Sequence, residues 1–165
     1  MRIAAAIALV LALAAVDASC QEISGQVTAV ADGDSLTITD AARRSYRVRL
    51  QGIDAPERGQ PFSSVSKSAL SKLVFGRNVV VVPQKTDQYG RIVGKVLVNG
   101  RDAALEQLRS GLAWFYTHYE KEMSSADRAQ YLAAQRSARE SRLGLWADAR
   151  PVPPWQYRRN RRRFG

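Results

Sequence analysis

Residues 23–50 read ISGQVTAVADGDSLTITDAARRSYRVRL. Three runs within it, ISGQVTAV, SLTIT and SYRVRL, are rich in Val, Ile, Thr and Tyr and are broken by Asp-Gly and Ala-Ala-Arg-Arg turns. Branched and aromatic side chains suit a pleated surface, and Asp-Gly between such runs is a hairpin signal. The stretch therefore predicts three antiparallel strands.

Outward from that sheet, SSVSKSALSKLVFG places Val65, Ala69, Leu70, Leu73 and Val74 at helical spacing, with polar starters before them and Gly76 after. This predicts a helix laid on the sheet. NVVVVP and RIVGKVLVNG read as two further strands, separated by the polar loop QKTDQYG. The last third is helical: DAALEQLRSG stops at Gly111, and SADRAQYLAAQRSARESRLG opens on Ser and stops at Gly144, with Tyr131, Ala134 and Ala138 along one face. Five strands and three helices, one helix lying between the third and fourth strands, indicate an α+β chain that is mainly a β barrel with helices. The order is compatible with an OB-fold, a five-stranded Greek-key barrel packed with three helices, whose open face often binds nucleic acid.

At the N-terminus, Arg2 precedes an unbroken apolar run over residues 3–16. That run is too short for a bilayer span, which takes about 20 residues, and reads as a signal-peptide core over residues 1–18, with Val16 and Ala18 at the cleavage positions. The expected protein is exported, periplasmic or secreted. Lipoprotein anchoring through Cys20 is the lesser alternative, because Asp17 stands where such a motif wants an aliphatic side chain. The domain is placed at residues 23–150. Residues 151–165, PVPPWQYRRNRRRFG, carry three prolines and then five arginines, and are expected to form an extended, mobile tail.

Formal charge is +10, from 25 Lys and Arg against 15 Asp and Glu. An exported domain this basic suits a polyanionic partner: nucleic acid, an acidic polysaccharide or an anionic surface. With one cysteine, Cys20, and one histidine, His118, the chain can form no internal disulfide and no thiolate or imidazole metal cage. Any metal must be held by oxygen.

Two acidic stretches could supply that oxygen. In RLQGIDAPERGQ, Asp54 and Glu57 flank Ala55-Pro56, and a residue before proline is pushed out of the helical region. A rigid Ala55 carbonyl is thereby exposed beside the Asp54 carboxylate. In ADGDSL, Asp32 and Asp34 flank Gly33; an EF-hand loop is excluded, since Leu36, Thr37 and Arg43 stand where it needs an oxygen ligand, glycine and glutamate. Each stretch taken alone reads equally well as a turn. A cation, if bound, would need ligands converging from separate strands, with Asp34 and Asp54 as the pair. Arg49 and Arg91 end and begin strands, and the planar arginine fork suits phosphate oxygens.

Together, DGDS, RLQGIDAPE and DQYGR resemble the motifs of the staphylococcal nuclease-like (thermonuclease) family, in order and at family-like spacing, with GLAWFY and RLGLW extending the resemblance. The resemblance implies a five-stranded OB barrel with three helices that cuts DNA and RNA phosphodiesters with calcium. It implies Asp34, Asp54 and the Ala55 carbonyl as Ca2+ ligands, Glu57 as general base, Arg49 and Arg91 on the scissile phosphate, and Tyr89 against the nucleotide. It also implies cleavage of the bond to the 5′-oxygen. Two positions depart from the family prototype: Ala55 replaces a threonine, harmless for a backbone ligand, and Gln88 replaces a lysine, removing one phosphate contact.

In GLAWFYTHY, Trp114 and Phe115 are expected mostly in the core and Tyr116 or Tyr119 along a groove where bases could stack. The expected partner is DNA or RNA, single-stranded or locally open duplex, bound by a monomer. The rival reading is a non-catalytic OB-fold nucleic-acid-binding module, which would have no reason to keep the acids and both arginines together.

Overall fold

The computed structural model describes residues 21–164; the signal-peptide and Cys20 readings lie outside them. The strands are β1 (Ile23–Val30), β2 (Ser35–Thr39), β3 (Ser45–Leu50), β4 (Ile53–Asp54), β5 (Asn78–Thr86), β6 (Ile92–Val98), β7 (Arg101–Asp102) and β8 (Trp114–Phe115). The helices are α1 (Ser63–Val74), α2 (Ala103–Arg109), α3 (Ser125–Glu140) and α4 (Pro154–Phe164). Strands β3, β2, β1, β5 and β6 pair antiparallel in that order. A parallel pairing of Val48, Arg49 and Leu50 with Ile92, Val93 and Gly94 closes them into a barrel. The fold is thus the expected five-stranded α+β barrel.

Alternation along each strand sends Val27, Ile38, Val48, Leu50, Val81 and Val96 inward, all buried, and α1 covers them with Leu70 and Val74. Each such side chain contributes about 1.5–3 kcal/mol by leaving water. The inner face of α1 differs from expectation at one point: Val65 is half-exposed, and Ser66 is the residue that turns in. Its hydroxyl donates to the Leu112 carbonyl at 2.7 Å, which satisfies a polar group where an apolar one was expected. Strand β5 continues three residues past NVVVVP, because a bulge between Pro83 and Lys85 absorbs the missing proline N–H.

Residues 151–165 were expected to be extended and mobile, yet Pro154–Phe164 form α4. Proline suits a first helical position, where an N–H would go unpaired anyway. Trp155 fixes the helix by packing edge-on to Trp114, ring centroids 5.7 Å apart, and against Tyr116 at 5.4 Å. Among the described residues, no helix is long and apolar enough to cross a membrane.

Candidate active site

Barrel closure brings the two acidic stretches together. The ADGDSL turn joins β1 to β2, and the residues after β3 make a short step into β4, which pairs with β8 through Ile53–Phe115 and Asp54–Trp114. Three contacts lock the first turn. The Asp34 amide donates to Asp32 Oδ1 at 3.0 Å, the Leu50 amide donates to the Asp34 carbonyl at 2.8 Å, and the buried Gln107 amide donates to the Gly33 carbonyl at 2.7 Å. Gly33 is required for space: a Cβ there would lie 1.9 Å from Ser66 Oγ and 2.8 Å from Ala55 Cβ.

Asp34 and Asp54 are 3% and 1% exposed, so neither charge survives without partners. Arg49 supplies them: Nη1 donates to Asp34 Oδ1 at 3.2 Å, and Nη2 to Asp54 Oδ1 at 3.0 Å and the Ile53 carbonyl at 3.3 Å. Asp34 also accepts from the Ala55 amide at 3.0 Å and from Ser35 Oγ at 2.7 Å. Arg91 is aimed by Asp87, whose Oδ2 accepts from Nε and pairs with Nη2, each at 2.8 Å, while its Nη1 reaches Ser35 Oγ at 3.5 Å. Of the five donors a guanidinium carries, Arg49 and Arg91 each commit three and keep two for a ligand.

These groups face one cleft of about 910 Å³ lined by Asp34, Arg49, Ala55, Glu57, Arg91, Tyr89, Tyr116 and Tyr119, with Asp54 behind Arg49. Every nominated site residue is in or against it. Tyr89 is 61% exposed at the rim, with the Arg91 guanidinium 5.5 Å from its ring centroid. Tyr116 and Tyr119 stack edge-on, centroids 5.4 Å apart, and Lys85 Nζ sits 3.9 Å over the Tyr119 ring. Phe115 is core, as expected, and His118 is exposed between the two tyrosines.

Sequence reasoning missed Arg158 and Arg162, which reach the cleft from α4, and Lys67 and Lys85, which line its walls. Arg158 Nη2 donates to Asp54 Oδ2 at 2.8 Å, and Nη1 donates to Asp54 Oδ1 at 3.2 Å and Glu57 Oε1 at 2.5 Å. Five arginines in fifteen residues were the available signal; they read as a solvated tail because no periodicity ties them to the barrel.

Burial dominates the electrostatics, with neighbouring negative charge adding to it. Burial raises the Asp54 carboxyl above its ordinary range, with the Arg158 hydrogen bond opposing and the Asp34 charge adding to the rise. Burial and the Asp34 charge push Asp32 up to about 7. Carboxylates so placed suit a hard cation. Among the described residues no group of three or more His, Cys, Asp or Glu gathers, so two carboxylates would need carbonyl and water oxygens to complete a shell. That donor set fits an oxygen-seeking divalent ion such as calcium.

Residues 47–148 match the model of the staphylococcal nuclease homologue family. Over 140 residues the chain is 38% identical to an Escherichia coli protein described as an uncharacterized endonuclease, covering 84% of this chain and 87% of that one. The chain belongs to the staphylococcal nuclease family. Other members of the family include the staphylococcal-like nuclease CAN1 of Arabidopsis thaliana, 38% identical over 119 residues, 72% of this chain and 35% of that one. Protein ParB of Escherichia coli is 36% identical over 177 aligned residues, 100% of this chain and 96% of that one. Against plant relatives, then, this family member spans about a third of their length.

Proposed function

We propose that the protein is a calcium-dependent endonuclease that hydrolyses DNA and RNA phosphodiester bonds with little sequence preference. One observation carries this reading: two buried aspartates from separate turns share the Arg49 guanidinium within a cleft that also holds Glu57 and Arg91. Family membership and the nuclease names of the relatives support it.

Asp34, Asp54 and the Ala55 carbonyl would hold the ion, which when bound supplies positive charge beside the phosphoryl oxygens. Glu57 takes a proton from the attacking water. Such a base is worth about 10²- to 10⁴-fold, against enzymatic accelerations that reach about 10¹⁷-fold, so it cannot act alone. Arg49 and Arg91 bind the phosphate with their uncommitted donors, and Asp34, Asp54 and Asp87 fix both guanidiniums before substrate arrives. That preorganisation stabilises charge as phosphorus gains a fifth oxygen. Tyr89, Tyr116 and Tyr119 offer faces to bases, each stack contributing about 1–3 kcal/mol without reading sequence.

The test is incubation with plasmid and single-stranded DNA in calcium, with and without a chelator. Cleavage abolished by chelation is the expected result. Retention of intact DNA, bound but uncut, would leave a non-catalytic binding module in its place.

A further inference from the structure

Arg158 is separated from Glu57 by 101 residues and from Asp54 by 104, yet its guanidinium covers both oxygens of Asp54 and one of Glu57. Arg49 already takes Asp54 Oδ1, so among the described residues Oδ2 is held by Arg158 alone. We propose that α4 is an internal competitor for the cation, with Arg158 occupying the Asp54 and Glu57 oxygens until it is withdrawn. This rests on the reading of Asp54 as a cation ligand.

A divalent ion at Asp54 would need the lone pairs that Arg158 uses, and would lie against a like charge at a few ångströms. Arg49 reaches Asp34 and Asp54 at their Oδ1 atoms and leaves Asp54 Oδ2 and Glu57 untouched, so it is Arg158 that competes with the ion for those oxygens. The contact is built into the chain at three points. Gln60 is 5% exposed; its Oε1 accepts from the Glu57 amide at 3.1 Å and its Nε2 donates to the Val152 carbonyl at 2.5 Å. It thereby ties the loop that carries the base to the segment leading into α4. Trp155 then seats the helix on Trp114 and Tyr116, and Arg158 closes onto the carboxylates.

The hold is also reversible by design. Arg158 keeps about a third of its side chain in solvent, and Arg49, Arg91, Lys67 and Lys85 line the same cleft, so like charge there opposes the docked arginine. Phosphate matches the arginine fork as well as carboxylate does. Arg162, one turn beyond Arg158, already lines the cleft where a phosphate would enter. Nucleic-acid phosphates would draw Arg158 off Asp54, and by reciprocity their binding would raise affinity for the cation.

Calorimetric titration of the full chain with calcium, in the absence of nucleic acid, tests the proposal. Arg158→Gln should bind calcium at least tenfold more tightly than the wild type, about 1.4 kcal/mol. Trp155→Ala, which loosens α4 without touching a carboxylate, should shift affinity in the same direction. Equal or weaker affinity in both variants, or no calcium binding by any of the three proteins, overturns it. If affinities are equal while all three still cut DNA in a chelator-sensitive way, only the competitor is lost and the nuclease reading stands. If the variants bind calcium more tightly but nothing cuts DNA, the competitor stands and the nuclease reading falls.

Discussion

The amide of Ala55 donates a 3.0 Å hydrogen bond to Asp34 Oδ2, across 21 residues of chain. This bond joins the two acidic turns directly and makes the position of Asp34 depend on the backbone before Pro56. Anything that shifts one turn displaces the other.

Gly33→Ala tests that dependence. Its new Cβ would meet Ser66 Oγ and Ala55 Cβ well inside contact distance. Ser66 is buried and bonded to Leu112, so the turn must give way. Overpacking of this kind costs about 1–3 kcal/mol, which should appear as a lowered melting temperature together with reduced cleavage. A variant with wild-type stability would show that α1 is softer here than its contacts indicate.

Removing Arg49 should expose how the site balances charge. Arg49→Ala leaves Asp34 and Asp54 buried beside one another, with Arg158 still on Asp54. Breaking a buried pair costs about 3–5 kcal/mol, and the remaining arginine places the expectation near the lower end. Urea unfolding measures it. Added calcium should restore part of the loss, since a ligand that binds only the folded state stabilises it by mass action. No response to calcium would argue against a cation at these two acids.

Glu57→Gln should keep the wild-type melting temperature and bind calcium no more weakly, because the side chain is 35% exposed and its main partner is Arg158. Its kcat should fall about 10²- to 10⁴-fold. Steady-state cleavage of a labelled oligonucleotide decides the matter, and turnover at the wild-type rate removes Glu57 as the base.

Asp102 gives a pH dependence remote from the cleft. Its Oδ1 caps α2 by accepting from the Ala104 amide at 2.9 Å, and Oδ2 accepts from the Tyr131 hydroxyl at 2.6 Å. Burial raises its carboxyl above the ordinary 3.8, against the opposing Tyr131 hydrogen bond. An acid with a raised folded pKa holds its proton more tightly when folded, so its contribution to stability is present below 3.8 and is lost as pH climbs through the raised value. The stability of the wild type relative to Asp102→Asn, from unfolding curves at several pH values, should therefore decline from acid toward neutral pH. A difference that grows with pH would reverse the assignment.

Sequence alone determined the five main strands, the first three helices and the chemistry on offer. Alternating Val, Ile and Thr marked β1, β2 and β3 at their observed bounds, because strand period and turn residues are local properties of the chain. The same local reading nominated Asp34, Arg49, Asp54, Glu57 and Arg91. It could not establish that they meet, since each turn by itself is an ordinary turn. Their meeting depends on the parallel closure of β3 on β6 and on Gly33 fitting against Ser66. Tertiary structure also decided the fate of the C-terminal arginines. Exposed charge has no period to read, and a guanidinium finds two carboxylates over a hundred residues away only once Trp155 has a surface to settle on.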